Sequence, residues 1–356
     1  MDRLSSLDAF RGITIAGMIL VNNPGSWQHV YAPLLHADWH GWTPTDLIFP
    51  FFLFIVGVSV SLSLSKRMDR MDSPVSVHMK IIRRSLILFV LGIVLQLLFR
   101  FDITNLRIPG VLQRIAICYL ISALVYYKVG SKGRVVILVF LLAGYYLVMK
   151  FVPVPGYGAG VWDYEGNLCA YIDIKLLGGH LYKPAFDPEG ILSTFPAIAT
   201  TLLGTLAGDW LRSSKNVFQK SLGLLSAGIL LTGAGLALHP VFPINKQLWT
   251  STYVLFTAGA AMIFLGLCLG LMDGLGAKKW AYPFLVLGSN AIFVYAGSTV
   301  MVKALLAISL YSHIYRHFLV PLAGPLNGSL LFPLLLLTFW VLVMIPLYRK
   351  KIYIKI

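Results

Sequence analysis

Acidic side chains are scarce in this chain. Fourteen Asp and Glu stand against 29 Lys and Arg among 356 residues, and charged residues of both signs make up only 12%. A soluble globular domain carries about a quarter, so the composition excludes an ordinary soluble fold. The net charge of +15 has no basic, aromatic-interleaved domain to sit on, which argues against nucleic acid as a partner. Cysteine is almost missing. Cys118, Cys169 and Cys268 are far apart and form no CxxC, which argues against a disulfide framework and a cysteine nucleophile. No small-residue cleavage site follows the apolar stretch Ile13 to Val21, so it reads as an uncleaved first helix. Internal repeats, low-complexity tracts and a phosphate-cradling glycine loop are also lacking. Residues 1–356 read as one domain.

Apolar residues are abundant instead: 58% of the chain, with a mean hydropathy of +0.79. Runs of this kind cross roughly 30 Å of hydrocarbon as helices. The expected fold is all-α, a polytopic transmembrane bundle with helices near 9–24, 44–65, 82–100, 109–127, 134–152, 190–211, 221–239, 250–272, 282–303 and 329–348. The segment 304–321, apolar but with two histidines and an arginine, makes an eleventh if it spans. Lys66, Arg67, Arg70, Lys80, Arg83 and Arg84 fall in alternate loops with Lys128, Lys132 and Arg134, then Arg212, Lys215 and Lys220. Lys278, Lys279 and the tail "YRKKIYIK" share that side. The opposite side holds fewer: Arg100, Arg107, Lys175, Lys183, Lys246 and Arg316. By the positive-inside rule both termini are cytoplasmic and residues 153–189, the longest loop, face outward. That loop mixes carboxylates with tyrosine and tryptophan, which suits a cationic sugar or a solvated cap.

The stretch "HADWHGWTPTDLIFPFFLFIVG" (36–57) puts titratable groups at the lip of a span. Thr43-Pro44-Thr45-Asp46 has the form of a capping box, with proline at the first helical position. Capping alone accounts for Asp46; orienting a neighbouring imidazole is the competing task. Pro50 is expected to kink the helix and open space beside it. His36 and His40 are four apart, yet the metalloprotease pattern wants glutamate where Ala37 stands, so no metal is expected. A histidine among Trp27, Trp39 and Trp42 is either catalytic or part of an interfacial belt. In the first helix Asp8 and Arg11 are placed to pair at i,i+3. Asn22 and Asn23 precede Pro24-Gly25; one terminates the helix and the other can donate an amide N–H beside His36. Arg114 and Asn290 lie at membrane depth, where polar residues are either functional or bonded to a partner. Asp187 and Glu189 in "FDPEGIL" either start the sixth helix or hold an ammonium group.

These motifs resemble the heparan-alpha-glucosaminide N-acetyltransferase family of the transmembrane acyltransferase superfamily. The resemblance runs from "RLSSLDAFRGITIAGMILVNNPG" through the histidine block, "RIPGVLQRIAICYL", "DPEGILSTFPAIATTLLG", "PINKQLWTSTYVLFTAG" and "LGSNAIFVYAG". It implies transfer of acetyl from cytosolic acetyl-CoA to a glucosamine amino group on the outer or lumenal side, with His36 as the catalytic histidine and Asn22 as the active-site asparagine. Asp46 then supports His36. Asp187, Glu189, Asn290, Arg114 and Trp39 are candidate acceptor-binding residues. Arg83, Arg84, Lys278 and Lys279 are candidates for the coenzyme A phosphates. Direct transfer and an acetyl-histidine route both fit. The lysosomal animal enzyme has an added lumenal N-terminal domain and first span, whereas this chain begins at the shared core. With its short loops, that points to a bacterial inner-membrane protein, with a homodimer one compatible assembly. The competing reading is a transporter of sugars or amines.

Overall fold

The computed structural model describes residues 4–71, 73–99, 102–103 and 105–354. Arg100, counted above with the outward cations, lies outside them, as do Arg3 of the first motif and Lys355 of the tail. The described residues are helical apart from turns and one isolated bridge between Val154 and Gly158. The helices are α1 (Ser5–Asn22), α2 (Ile48–Asp69), α3 (Pro74–Leu97), α4 (Val111–Lys128), α5 (Ser131–Phe151), α6 (Leu168–Leu177) and α7 (Thr194–Arg212). Then follow α8 (Val217–Ala237), α9 (Ser251–Cys268), α10 (Tyr282–Gly288), α11 (Ala291–Ala307), α12 (Leu310–Ile314) and α13 (Val320–Arg349).

Local chemistry starts several of them. Ser73 accepts from the Ser76 amide before Pro74 opens α3. Asn216 and Gln219 form a capping box on α8, and Asn167 accepts from the Ala170 amide to start α6. Each satisfies an amide that a helix N-terminus leaves without an intrahelical partner.

Six helices are long and apolar enough to cross a membrane, or seven if the pair Lys279–Gly288 and Ala291–Ala307 is one broken span. This is fewer than the ten expected spans, although a helix overlaps each of those ten segments. The pair bends by 73°, where the apolar run 282–303 had read as a single helix. Pro50 also differs from expectation. It lies in the first turn of α2, continuous with a 3₁₀ turn at Pro44–Leu47, where a missing amide N–H forfeits little. The loop 153–189 is part helix, since α6 occupies its middle.

Two close approaches set the centre. A Cβ on Gly57 of α2 would stand 1.9 Å from the Thr201 carbonyl oxygen, and one on Gly204 of α7 would stand 2.1 Å from that of Phe54. On the other side, a Cβ on Gly12 of α1 would meet the Phe284 oxygen at 1.8 Å, and one on Gly288 of α10 the Asp8 oxygen at 1.9 Å. Small residues let helix backbones touch, which is how bundles gain packing when lipid removes the hydrophobic drive. The apolar window of α2 is 61% buried and those of α5 and α8 only 22%. Helix α2 is therefore central, and it carries the histidine block at its start.

Candidate active site

His36 lies between a 3₁₀ turn at Ala32–Leu34 and the turn that begins α2. Its Nδ1 is 2.6 Å from Asp46 Oδ1. The other carboxylate oxygen, Oδ2, accepts the Ala37 and Thr43 amides at 3.0 Å each. Thr43 and Asp46 complete the capping box, so one buried carboxylate both starts the helix and holds the imidazole. The Tyr253 hydroxyl donates to the Asp46 carbonyl at 2.6 Å, which ties the turn to α9. The His36 ring itself is 40% exposed, open to a reactant. His40 faces elsewhere: its Nδ1 is 3.3 Å from the Asn245 amide, and burial lowers its pKa against the opposing charge of Asp163.

Lys246, which sequence reasoning counted only as a topology charge, completes this cluster. Its Nζ is 2.9 Å from His36 Nδ1 and 3.3 Å from Asp46 Oδ1. Burial lowers its pKa, while the Asp46 and Glu189 charges resist.

A second charged cluster stands nearby. Arg107 donates from Nε to Asp187 Oδ2 at 2.8 Å and from Nη2 to Oδ1 at 2.6 Å. The same Nη2 also bonds Glu189 Oε2. Burial works against the guanidinium, but these carboxylates outweigh it and raise its pKa above the ordinary arginine range. Neither acid caps the next helix as expected, because α7 begins at Thr194, beyond Gly190. Arg114, buried to 1%, pins that approach: its Nη2 bonds the Gly190 carbonyl at 3.0 Å and Ser193 Oγ at 2.5 Å. Trp39 donates to the Trp162 carbonyl at 2.8 Å and packs edge-on against Tyr164 and Phe186. It ties the histidine block to the 153–189 cap.

Asn23 spends its amide on the Ile19 carbonyl at 2.8 Å and ends α1. Asn22 lines a cavity of about 240 Å³ with Tyr295, Ser298, Thr299 and Lys303.

A larger cavity of about 530 Å³ opens at the other end of α2. Its lining contains Arg11, Arg67, Lys80, Arg83 and Arg84 and, among the described residues, no carboxylate. Arg11 pairs with Asp8 at 3.1 Å, as the i,i+3 spacing predicted. The Arg84 guanidinium lies 4.8 Å over the Tyr119 ring, and its buried Nε has no hydrogen-bond partner among the described residues. Lys278 and Lys279 are not in this lining; Lys278 faces Asp273 at 3.3 Å. Asn290, grouped above with the acceptor residues, belongs here. It precedes α11 at the break, its side chain turned from the helix to the tail: Nδ2 donates to the Ile352 carbonyl at 3.0 Å, and Oδ1 accepts the Ile354 amide at 2.6 Å. The tail thus runs along this cavity's edge, with Ile354 in the lining.

The lining reaches from Arg67 to Phe52 on α2, a rise of about 22 Å at 1.5 Å per residue. The two cavities then share helix faces. On α1 the larger is lined by Arg11 and the smaller by Ile15; on α11 they are lined by Ile292 and Tyr295. About one helical turn separates them.

The catalytic-domain model of heparan-alpha-glucosaminide N-acetyltransferase matches residues 3–236. The human protein called heparan-alpha-glucosaminide N-acetyltransferase is 32% identical over a 412-residue alignment covering 99% of this chain and 60% of that protein. The mouse protein of the same name is 29% identical over 413 residues, covering 100% of this chain and 61% of its own length. The chain therefore spans about 60% of the length of these relatives. With about two thirds of its residues under the family model and 99% of its length aligned to the human protein, this chain belongs to the heparan-alpha-glucosaminide N-acetyltransferase catalytic family.

Proposed function

We propose that this protein is an acetyl-CoA-dependent N-acetyltransferase, which moves acetyl from the cytosolic side of a membrane to the amino group of a glucosamine-type sugar on the other. The observation that carries this reading is an exposed histidine backed by a buried carboxylate at the start of α2, with a cavity lined by cations toward the other end of the same helix. Both termini are then cytoplasmic, with ten membrane crossings in a single domain spanning 1–356 and the His36 end outward, as the basic loops predict. The bacterial inner membrane is the proposed location.

Coenzyme A is polyanionic and does not partition into lipid. Its phosphates suit Arg83, Arg84 and Lys80, and a thin pantetheine arm suits the apolar part of the same cavity, lined by Phe52, Leu88 and Leu112. It brings a thioester, whose carbonyl carbon the amine attacks. His36 takes the proton released as the carbon–nitrogen bond forms and returns it to the departing sulfur. Asp46 holds the Nδ1 proton, leaving Nε2 as the base. Asn22 donates an amide N–H to the oxygen that gains charge as the carbonyl is attacked; an amide polarises but does not act as a base. Arg107 neutralises Asp187 and most of Glu189, leaving Glu189 a partial role toward the acceptor's ammonium.

The test is transfer of labelled acetyl from acetyl-CoA by purified protein across a panel of amino sugars, with glucose as the control. Glucosamine-type sugars are expected to be labelled and glucose not. Protein that binds amino sugars but labels none contradicts the enzyme reading and favours a transporter.

A further inference from the structure

Three charged or titratable groups meet at His36. Nδ1 lies 2.6 Å from Asp46 Oδ1 and 2.9 Å from Lys246 Nζ, while Nζ is also 3.4 Å from Nε2 and 3.3 Å from Oδ1. A ring nitrogen offers a proton or a lone pair, never both. With its proton on Nδ1, the imidazole donates to Asp46 and keeps a lone pair on Nε2. With the proton on Nε2, Nδ1 accepts from Lys246 instead. Asp46 thus favours the proton on Nδ1, while the Lys246 ammonium, within reach of both nitrogens, donates to whichever one keeps its lone pair. The two neighbours act oppositely on charge, since a carboxylate favours imidazolium and an ammonium disfavours it. Lys246 sits in the 238–250 connection between α8 and α9, 210 residues from His36. Its side chain is 15% exposed, so its charge acts in a poorly solvated setting where neighbouring charges are felt strongly.

We propose that Lys246 is a positioning residue for the acyl transfer described above: its charge keeps His36 neutral, and so able to take the amine's proton, at acidities where Asp46 alone would hold it as imidazolium. This rests on His36 being the base. Asp46 and Lys246 face the ring directly, Glu189 acts through Lys246, and His40 is turned toward Asn245 and Asp163.

The experiment is the pH profile of kcat/KM for Lys246→Met, Lys246→Arg and the native protein. Removing the positive charge makes imidazolium easier to form. The acid limb in Lys246→Met is expected about one pH unit higher, with the acetyl-CoA KM little changed. Lys246→Arg is expected to keep the native limb. A Lys246→Met protein whose rate falls equally at every pH, with the limb in place, overturns the proposal. If Lys246→Met does not accumulate, Lys246→Gln makes the same comparison; failure of both neutral variants while Lys246→Arg accumulates also overturns it, because the lysine would then be holding the fold. His36→Ala keeps the two readings apart. Normal turnover in that variant removes the base itself, whereas an inactive His36→Ala beside an unmoved limb removes only the lysine's role.

Discussion

The two ends of α2 handle charge in opposite ways. At its start, charges are closely matched: Asp46 with His36 and Lys246, and Arg107 with Asp187 and Glu189. At its far end Arg11, itself paired with Asp8, and four more cations line one cavity whose described lining holds no carboxylate. Matched charges at short range fix geometry and protonation, which proton transfer needs. An excess of one sign attracts a polyanion and holds it through several contacts at once. In the proposed reaction, one bundle separates chemistry from donor binding by about the length of a helix.

The largest effect should come from the matched end. His36→Ala is expected to lower turnover by about 10²–10⁴ while acetyl-CoA still binds, read by steady-state rates beside donor titration; near-normal turnover would remove the base. Next is Arg107→Leu. It leaves Asp187, whose side chain is fully buried, and Glu189 without their cation, a loss of about 3–5 kcal/mol. Thermal unfolding in detergent should show a clear drop in Tm, and an unchanged Tm would mean these carboxylates have another partner. Arg83→Ala with Arg84→Ala tests the cation-rich end. The acetyl-CoA KM should rise about tenfold, equivalent to losing roughly one charge-assisted hydrogen bond. Lys278→Ala with Lys279→Ala should leave it nearly unchanged, and the reverse order would move the nucleotide site. The smallest effect is expected from Glu189→Gln. Arg107 already bonds Oε2, so the acceptor KM should rise by about threefold, in line with a pair worth under about 1 kcal/mol. No change would leave Glu189 as Arg107's partner alone.

What could be read from the sequence was local. The capping box and the His36–Asp46 pair span ten residues, and threonine–proline–x–aspartate announces a helix start wherever it falls. Asp8 and Arg11 were legible for the same reason. Arg107 and its carboxylates are 80 and 82 residues apart, so their meeting depends on how α3, α4 and α7 pack, which no local pattern encodes. Lys246 lay inside "PINKQLWTSTYVLFTAG", one of the stretches that carry the family resemblance. A lysine in a short loop, however, reads as a topology signal unless its partner is known. The break at Ser289–Asn290 was missed because Gly288-Ser289-Asn290 is short and flanked by apolar residues on both sides; the 73° bend and the bonds of Asn290 to the tail show it.

In the proposed reaction, donor and acceptor occupy opposite faces of one membrane. The most direct measurement uses purified protein in sealed vesicles of known orientation, with labelled acetyl-CoA and glucosamine supplied to chosen sides. Transfer across the bilayer predicts acetylated sugar when acetyl-CoA is on the Arg83 face and glucosamine on the His36 face, and little when both are confined to either face. Product formed equally well with both substrates on one face would contradict it.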